Sequence, residues 1–138
     1  MKNIFILGAT GNIGQELIKQ IYEKQKEIRI VGLASSKKYT TLSKGFTQKE
    51  CLDFSLKSDI FTNGKEMNFS EILSDCKNLG LKNLCFVDVT SSKKILDFHK
   101  EIIFNSDNKI VTANKNTLTI CSYEDSAILT QNRVRYAF

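Results

Sequence analysis

No proline occurs in the chain, histidine occurs once, and no apolar run approaches the length of a membrane span. The missing proline removes one kind of loop punctuation and carries no functional meaning. A bilayer-crossing helix needs roughly 20 apolar residues in succession, which excludes a transmembrane segment. The N-terminus also lacks the layout of a secretory signal. The cysteines Cys51, Cys76, Cys85 and Cys121 show no CxxC spacing and no nearby histidine, so no zinc or other metal site is expected. They read as free thiols of a reducing cytoplasm. No basic block carries aromatic partners; the net charge of +5 is scattered over lysines interleaved with carboxylates. That is a solvated surface, not a nucleic-acid face.

What is present suffices for one domain. A chain of 138 residues buries a core without staples, and 41% hydrophobic with 25% charged residues argues against disorder. Lys2 to Leu7 is a short apolar run, as a buried parallel strand requires. Ile13, Leu17, Ile18 and Ile21 follow at helical spacing, giving a helix that starts just after Gly11. Glu27 to Ala34 is a second strand, and "SSKK" marks the loop after it. Residues 40–65 are polar and irregular and receive no assignment.

Asn68 and Glu71 form a capping pair ahead of an apolar face made by Phe69, Ile72, Leu73, Cys76 and Leu79. Asn83 to Thr90 is a strand, and "SSKKILDFHKEIIF" a helix with Ile95, Phe98 and Ile102 on one side. Asn108 to Asn114 is a further strand. Thr119 or Ser122 starts another helix through about Leu129, and Arg133 to Phe138 closes the series as a strand. Strands alternating with helices give an α/β class: a doubly wound, mostly parallel sheet of Rossmann type with helices on both faces, one domain over residues 1–138.

"FILGATGNIG" places Gly8, Gly11 and Gly14 between the first strand and its helix. In such a loop the first glycine makes the tight turn. The second lets the backbone approach a pyrophosphate, and the third lets helix and strand pack closely. Backbone N–H groups near Thr10, Asn12 and Ile13 would face the anion. The spacing is GxxGxxG, a variant of the usual fingerprint, and glycines that only turn the chain are the alternative. At the end of the second strand stand Ala34, Ser35, Ser36, Lys37 and Lys38, with no carboxylate. Hydroxyls and ammonium groups there can receive a 2′-phosphate, so NADP is the slightly preferred cofactor over NAD. Plain surface lysines are the alternative.

The opening motif alone resembles the extended short-chain dehydrogenases and their NmrA-like relatives. Those enzymes pair a tyrosine with a lysine four residues on. The only such pair, Tyr22 and Lys26, lies too early and reads as helix surface. Aspartate-semialdehyde dehydrogenase opens similarly and needs a cysteine nucleophile. "LTICSYED" around Cys121 lacks that family's context.

"FVDVTSS" (Phe86 to Ser92) and "IVTANKNT" (Ile110 to Thr117) are the more specific motifs. With "FILGATGNIG", "RIVGLASSK" and "RVRYAF" they resemble, in order and approximate spacing, the nucleotide-binding domain of homoserine dehydrogenase. The dehydrogenase portion of the bifunctional aspartokinase–homoserine dehydrogenases is especially similar. Thr90, Ser91 and Ser92 stand at a carboxyl strand end beside the crevice, where they bind cofactor, cap the next helix, or both. Thr112, Ala113, Asn114 and Lys115 follow the next strand in the same way. The resemblance implies that Lys115 lies by the nicotinamide and substrate; Asn116 stands where many members carry a second lysine. His99, on the apolar side of its helix, reads as a packed imidazole. Asp88, within a strand, receives no catalytic role.

The resemblance further implies NAD(P)-linked interconversion of L-aspartate 4-semialdehyde and L-homoserine, with the substrate-binding and dimerisation region beyond this segment. The expectation is a domain that binds dinucleotide and has little or no turnover alone, within a homodimeric complete enzyme. A stand-alone NmrA-like NADP-binding sensor is the alternative. Another amino-acid dehydrogenase sharing this nucleotide domain is a third reading.

Overall fold

In the computed structural model β1 (Lys2–Leu7) runs up the middle of a sheet, and its side chains divide between two cores. Residues 1–57, 64–114, 124, 127, 129, 136 and 137 are described. Because strand side chains alternate, Ile4 and Ile6 enter one core while Phe5 and Leu7 enter the other. The first core is closed by Ile18 and Ile21 of α1 (Asn12–Lys24) and by Phe54 of α2 (Gln48–Lys57). The second is closed by Ile72 of α3 (Phe69–Asn78) and by Phe98 and Ile102 of α4 (Leu96–Asn105). Helices therefore cover both faces, as the doubly wound reading requires.

Beside β1 lie β2 (Ile28–Ala34) and β5 (Cys85–Asp88), followed outward from β5 by β6 (Lys109–Thr112) and β7 (Tyr136–Ala137), all parallel. On the β2 side, β3 (Lys38–Thr41) and β4 (Lys65–Glu66) add an antiparallel edge, giving the order β4-β3-β2-β1-β5-β6-β7. Chain direction diverges between β1 and β5: β1 leads to β2 on one side while β5 leads to β6 on the other. In open α/β sheets such a switch point opens the ligand crevice at the carboxyl ends of the strands.

Several local expectations change. Ile13 is 60% exposed rather than on the core face of α1, where Gly14, Ile18 and Ile21 are buried and Gly14 packs on the Gly8–Ala9 turn. Within 40–65 the chain forms β3, α2 and β4. A capping box starts α2: the Thr47 hydroxyl accepts from Glu50 N at 3.2 Å, and Glu50 Oε1 accepts from Thr47 N at 3.3 Å. The loop after β2 is shorter than "SSKK", since Lys38 already belongs to β3.

Helix α4 begins at Leu96 after an uncapped Ile95, so Thr90, Ser91 and Ser92 do not cap it. Their side-chain bonds to nearby backbone compete with helix formation (Ser92 N on Thr90 Oγ1 at 3.3 Å, Lys94 N on Ser92 Oγ at 3.2 Å). Asn68 caps α3 as expected, accepting from Glu71 N at 3.3 Å. Gly80 then ends it in a Schellman motif, with Leu81 N on Cys76 O and Gly80 N on Lys77 O, both at 3.0 Å. The helix expected from Thr119 or Ser122 falls mostly outside the described residues, as does most of the last strand beyond Tyr136 and Ala137.

Candidate functional site

At the switch point β1 ends in Gly8, whose φ of +90° favours glycine, and the chain reverses into α1. The Gly8 and Ala9 N–H groups both donate to the Ala34 carbonyl, at 3.0 and 2.9 Å, fastening this turn to the end of β2. A side chain on Gly14 would put its Cβ 2.2 Å from the Gly8 carbonyl oxygen, so helix and turn touch backbone to backbone. Gly11 differs. Its φ of −77° suits any residue, and the nearest neighbour of a Cβ there is the Gly8 oxygen at an ordinary 3.5 Å. The fold itself does not require glycine at position 11. Its missing side chain leaves the N-terminus of α1 without a side-chain cap or an acidic residue in the first turn. Helix N-termini of this kind attract phosphate groups.

The crevice above this loop has a volume of about 480 Å³, within the range of small-molecule sites. It brings together Gly8, Thr10, Gly11, Ala34, Ser35, Ser36, Thr90, Ser91 and Ser92. Its described lining includes no carboxylate and includes the Lys94 ammonium stem, a balance suited to an anionic ligand. Residues 10–134 match the family described as homoserine dehydrogenase, NAD binding domain. The chain belongs to that family.

A hyperthermophilic archaeal homoserine dehydrogenase mutant in complex with NADPH has the same fold. Its TM-score is 0.75 at 20% identity, over 100% of this chain and 44% of that one. The homoserine dehydrogenase of Thermoplasma acidophilum gives 0.71 at 19% identity, over 99% of this chain and 42% of that one. The 1-deoxy-D-xylulose 5-phosphate reductoisomerase of Clostridium botulinum is 29% identical over 134 residues, 87% of this chain and 34% of that protein. The chain thus spans less than half the length of these relatives.

In this homoserine dehydrogenase NAD-binding domain, the remaining expected residues fall in distinct places. Asn12 and Ile13 are exposed at the start of α1, and Gly14 is buried beneath it. Ser36 and Lys37 form the exposed tip of the β2–β3 turn. Ser35 is buried and shapes that turn: its Oγ accepts from Lys37 N at 3.2 Å and Lys38 N at 3.0 Å. Thr112 and Asn114 are buried and Ala113 is exposed. Lys115 and Cys121 lie outside the described residues.

The sequence reading missed Met67 and Phe69 as crevice residues, together with Lys94 and Ile95. Phe69 stacks on Phe98 with ring centroids 4.7 Å apart and gives the crevice an aromatic wall. The Asn68–Glu71 cap was the signal for it, because a cap at 68 sets Met67 and Phe69 where the chain enters α3.

Beneath the crevice wall, Asp88 is fully buried and hydrogen-bonded on both oxygens. Oδ1 accepts from Thr90 N at 2.9 Å and Thr90 Oγ1 at 2.7 Å. Oδ2 lies 2.8 Å from His99 Nε2 and accepts from Thr112 Oγ1 at 3.3 Å. Burial pushes the Asp88 pKa up, but the bonds from His99 and Thr90 outweigh it and hold the carboxyl below its usual value. His99 is packed as expected, with Nδ1 3.1 Å from the Tyr136 hydroxyl. Its partnership with Asp88 was not foreseen.

Other titratable groups are structural. Burial pushes the Cys51 thiol up to about 11 and the Cys76 thiol to about 12, and it also raises Cys85. These three are free cysteines with little thiolate at neutral pH. Tyr22 is half-buried rather than surface, and its hydroxyl donates to the Phe46 carbonyl, while Lys26 lies beyond α1. Among the described residues no carboxylate, histidine and cysteine cluster could hold a metal, and no helix is long and apolar enough to cross a membrane.

Proposed function

We propose that this domain holds the dinucleotide of a homoserine dehydrogenase that interconverts L-aspartate 4-semialdehyde and L-homoserine, with NADP preferred over NAD. The crevice at the β1–β5 switch point carries the reading, because it combines a glycine that the fold itself does not require with an uncapped helix N-terminus. The pyrophosphate would lie across Gly11 and the Asn12 and Ile13 N–H groups. The adenosine half would extend over Ala34 toward the β2–β3 turn, where Ser36 and Lys37 would receive a 2′-phosphate. Met67, Phe69 and Ile95 offer an apolar bed, and Lys94 adds positive charge beside Ser92. When bound, the nicotinamide ring supplies the hydride acceptor or donor.

Substrate identity rests on family membership, as does the assignment of Lys115 near the reacting atoms. The pathway setting, in threonine and methionine biosynthesis, and a homodimeric complete enzyme rest on the same basis, while the free thiols Cys51, Cys76 and Cys85 support a reducing cytoplasm. Since the chain spans under half of its dehydrogenase relatives, we infer that these 138 residues bind cofactor with little or no turnover.

Titration followed by NADPH and NADH fluorescence tests this reading. The expected outcome is saturable binding, tighter for NADPH by about tenfold, the scale of one charge-assisted phosphate contact. Tighter NADH binding would overturn the cofactor preference. Homoserine-dependent NADP reduction by this chain alone would overturn the inference on turnover.

A further inference from the structure

The Asp88 network has a direction. A carboxylate that is ionised only accepts hydrogen bonds, so the Thr90 and Thr112 hydroxyls must both point their protons inward, and His99 Nε2 must carry one. With its proton committed, Thr90 Oγ1 can only accept from other groups. It accepts from Asn114 Nδ2 at 3.2 Å and from Ser92 N at 3.3 Å. Asn114 Nδ2 also donates to the Ser92 carbonyl at 2.7 Å, and Asn114 N to Thr112 Oγ1 at 2.9 Å. On the far side, His99 links this cluster to Tyr136 of β7. One buried charge therefore ties β5, β6, β7, α4 and the turn at Thr90–Ser92 together.

We propose that Asp88 is a positioning residue for the cofactor, holding the Thr90–Ser92 turn and Asn114 as the rigid wall over which the nicotinamide half lies. This rests on the cofactor reading above. The strand order supports it: the adenosine half belongs over β2, so an extended dinucleotide passes its other half over β5 and β6. Asp88 itself is fully buried and does not line the crevice. The turn it holds packs directly on the glycine loop, since a Cβ built on Gly8 would come within 3.0 Å of the Val89 carbonyl and 3.1 Å of the Thr90 methyl. The hydroxyl is used for holding the wall.

The test compares two probes on the same protein, NADPH and 2′,5′-ADP, the second carrying only the adenosine half. Asp88→Asn keeps the size of the side chain and removes its charge, and Thr90→Val removes the hydroxyl in an isosteric way. Both variants are expected to weaken NADPH about tenfold while 2′,5′-ADP changes less than about twofold, the loss expected when buried polar partners are misaligned. Thr90→Ser, which keeps the hydroxyl, is expected to restore NADPH affinity. Equal weakening of both probes would show a merely structural role and overturn the proposal, as would unchanged NADPH binding in a folded variant. Wild-type protein that binds neither probe would overturn the cofactor reading and this proposal with it. Wild-type protein that binds both, with an unchanged ratio in the variants, would overturn this proposal alone.

Discussion

The two walls of the crevice are built on opposite principles. On the β2 side the turn from Ser35 to Lys38 is made by one serine hydroxyl bonding to backbone two and three residues away, and its tip is exposed. On the β5 side the turn at Thr90 is held by a buried carboxylate whose partners come from positions 99 and 112. The first wall is shaped by a local side chain and tied outward by backbone, Met67 N donating to the Lys37 carbonyl at 2.8 Å, so its exposed side chains can change without disturbing the sheet. The second is cooperative: removing any member leaves a buried polar group without its partner.

The largest effect should come from breaking the cooperative wall outright. Asp88→Ala leaves the His99, Thr90 and Thr112 donors facing no acceptor in a dry interior. Its expected cost is roughly 3–5 kcal/mol, read as a lower urea midpoint, since removing one partner of a buried pair strands the others. A loss below about 1 kcal/mol would mean that water or a neighbouring carbonyl replaces the carboxylate.

Gly11→Asp addresses the floor between the walls and separates binding from stability. Its extended backbone suits a capping aspartate, so stability should hold or rise by about 0.3–1 kcal/mol. NADPH affinity should nevertheless fall by about a hundredfold, because a carboxylate would occupy the place of phosphate. Thermal melts and fluorescence titration of one preparation read both signs, and undiminished affinity would move the phosphates elsewhere. The smallest effect belongs to the local wall. Lys37→Ala should leave the melting temperature unchanged and lower the NADPH-to-NADH preference by about threefold to tenfold, as expected for one exposed charge–phosphate contact. An unchanged preference would assign the 2′-phosphate to other groups, of which Lys38 is the first to test.

The same contrast explains what could be read from residues alone. The glycine loop, the Asn68 cap and the apolar strands are local patterns, and each stands where its spacing put it. The Thr47–Glu50 capping box was equally local and went unnoticed in a polar stretch, so α2 was missed for want of an apolar stripe. By contrast, β3 and β4 are short edge strands whose pairing with distant residues makes them strands at all. The hub at Asp88 was illegible for a related reason. Beyond the nearby Thr90, its partners lie on other elements: His99 is on α4, and the parallel register of β5 with β6 sets Asp88 opposite Thr112.

The Ser35 turn has a practical side. The Ser35 hydroxyl bonds only within four residues, and the tip is tied outward through backbone, Met67 N donating to the Lys37 carbonyl at 2.8 Å, so the side chains of Ser36 and Lys37 form an exchangeable cassette. Two-residue libraries at that tip could retune which dinucleotide the crevice accepts while the sheet beneath stays as it is.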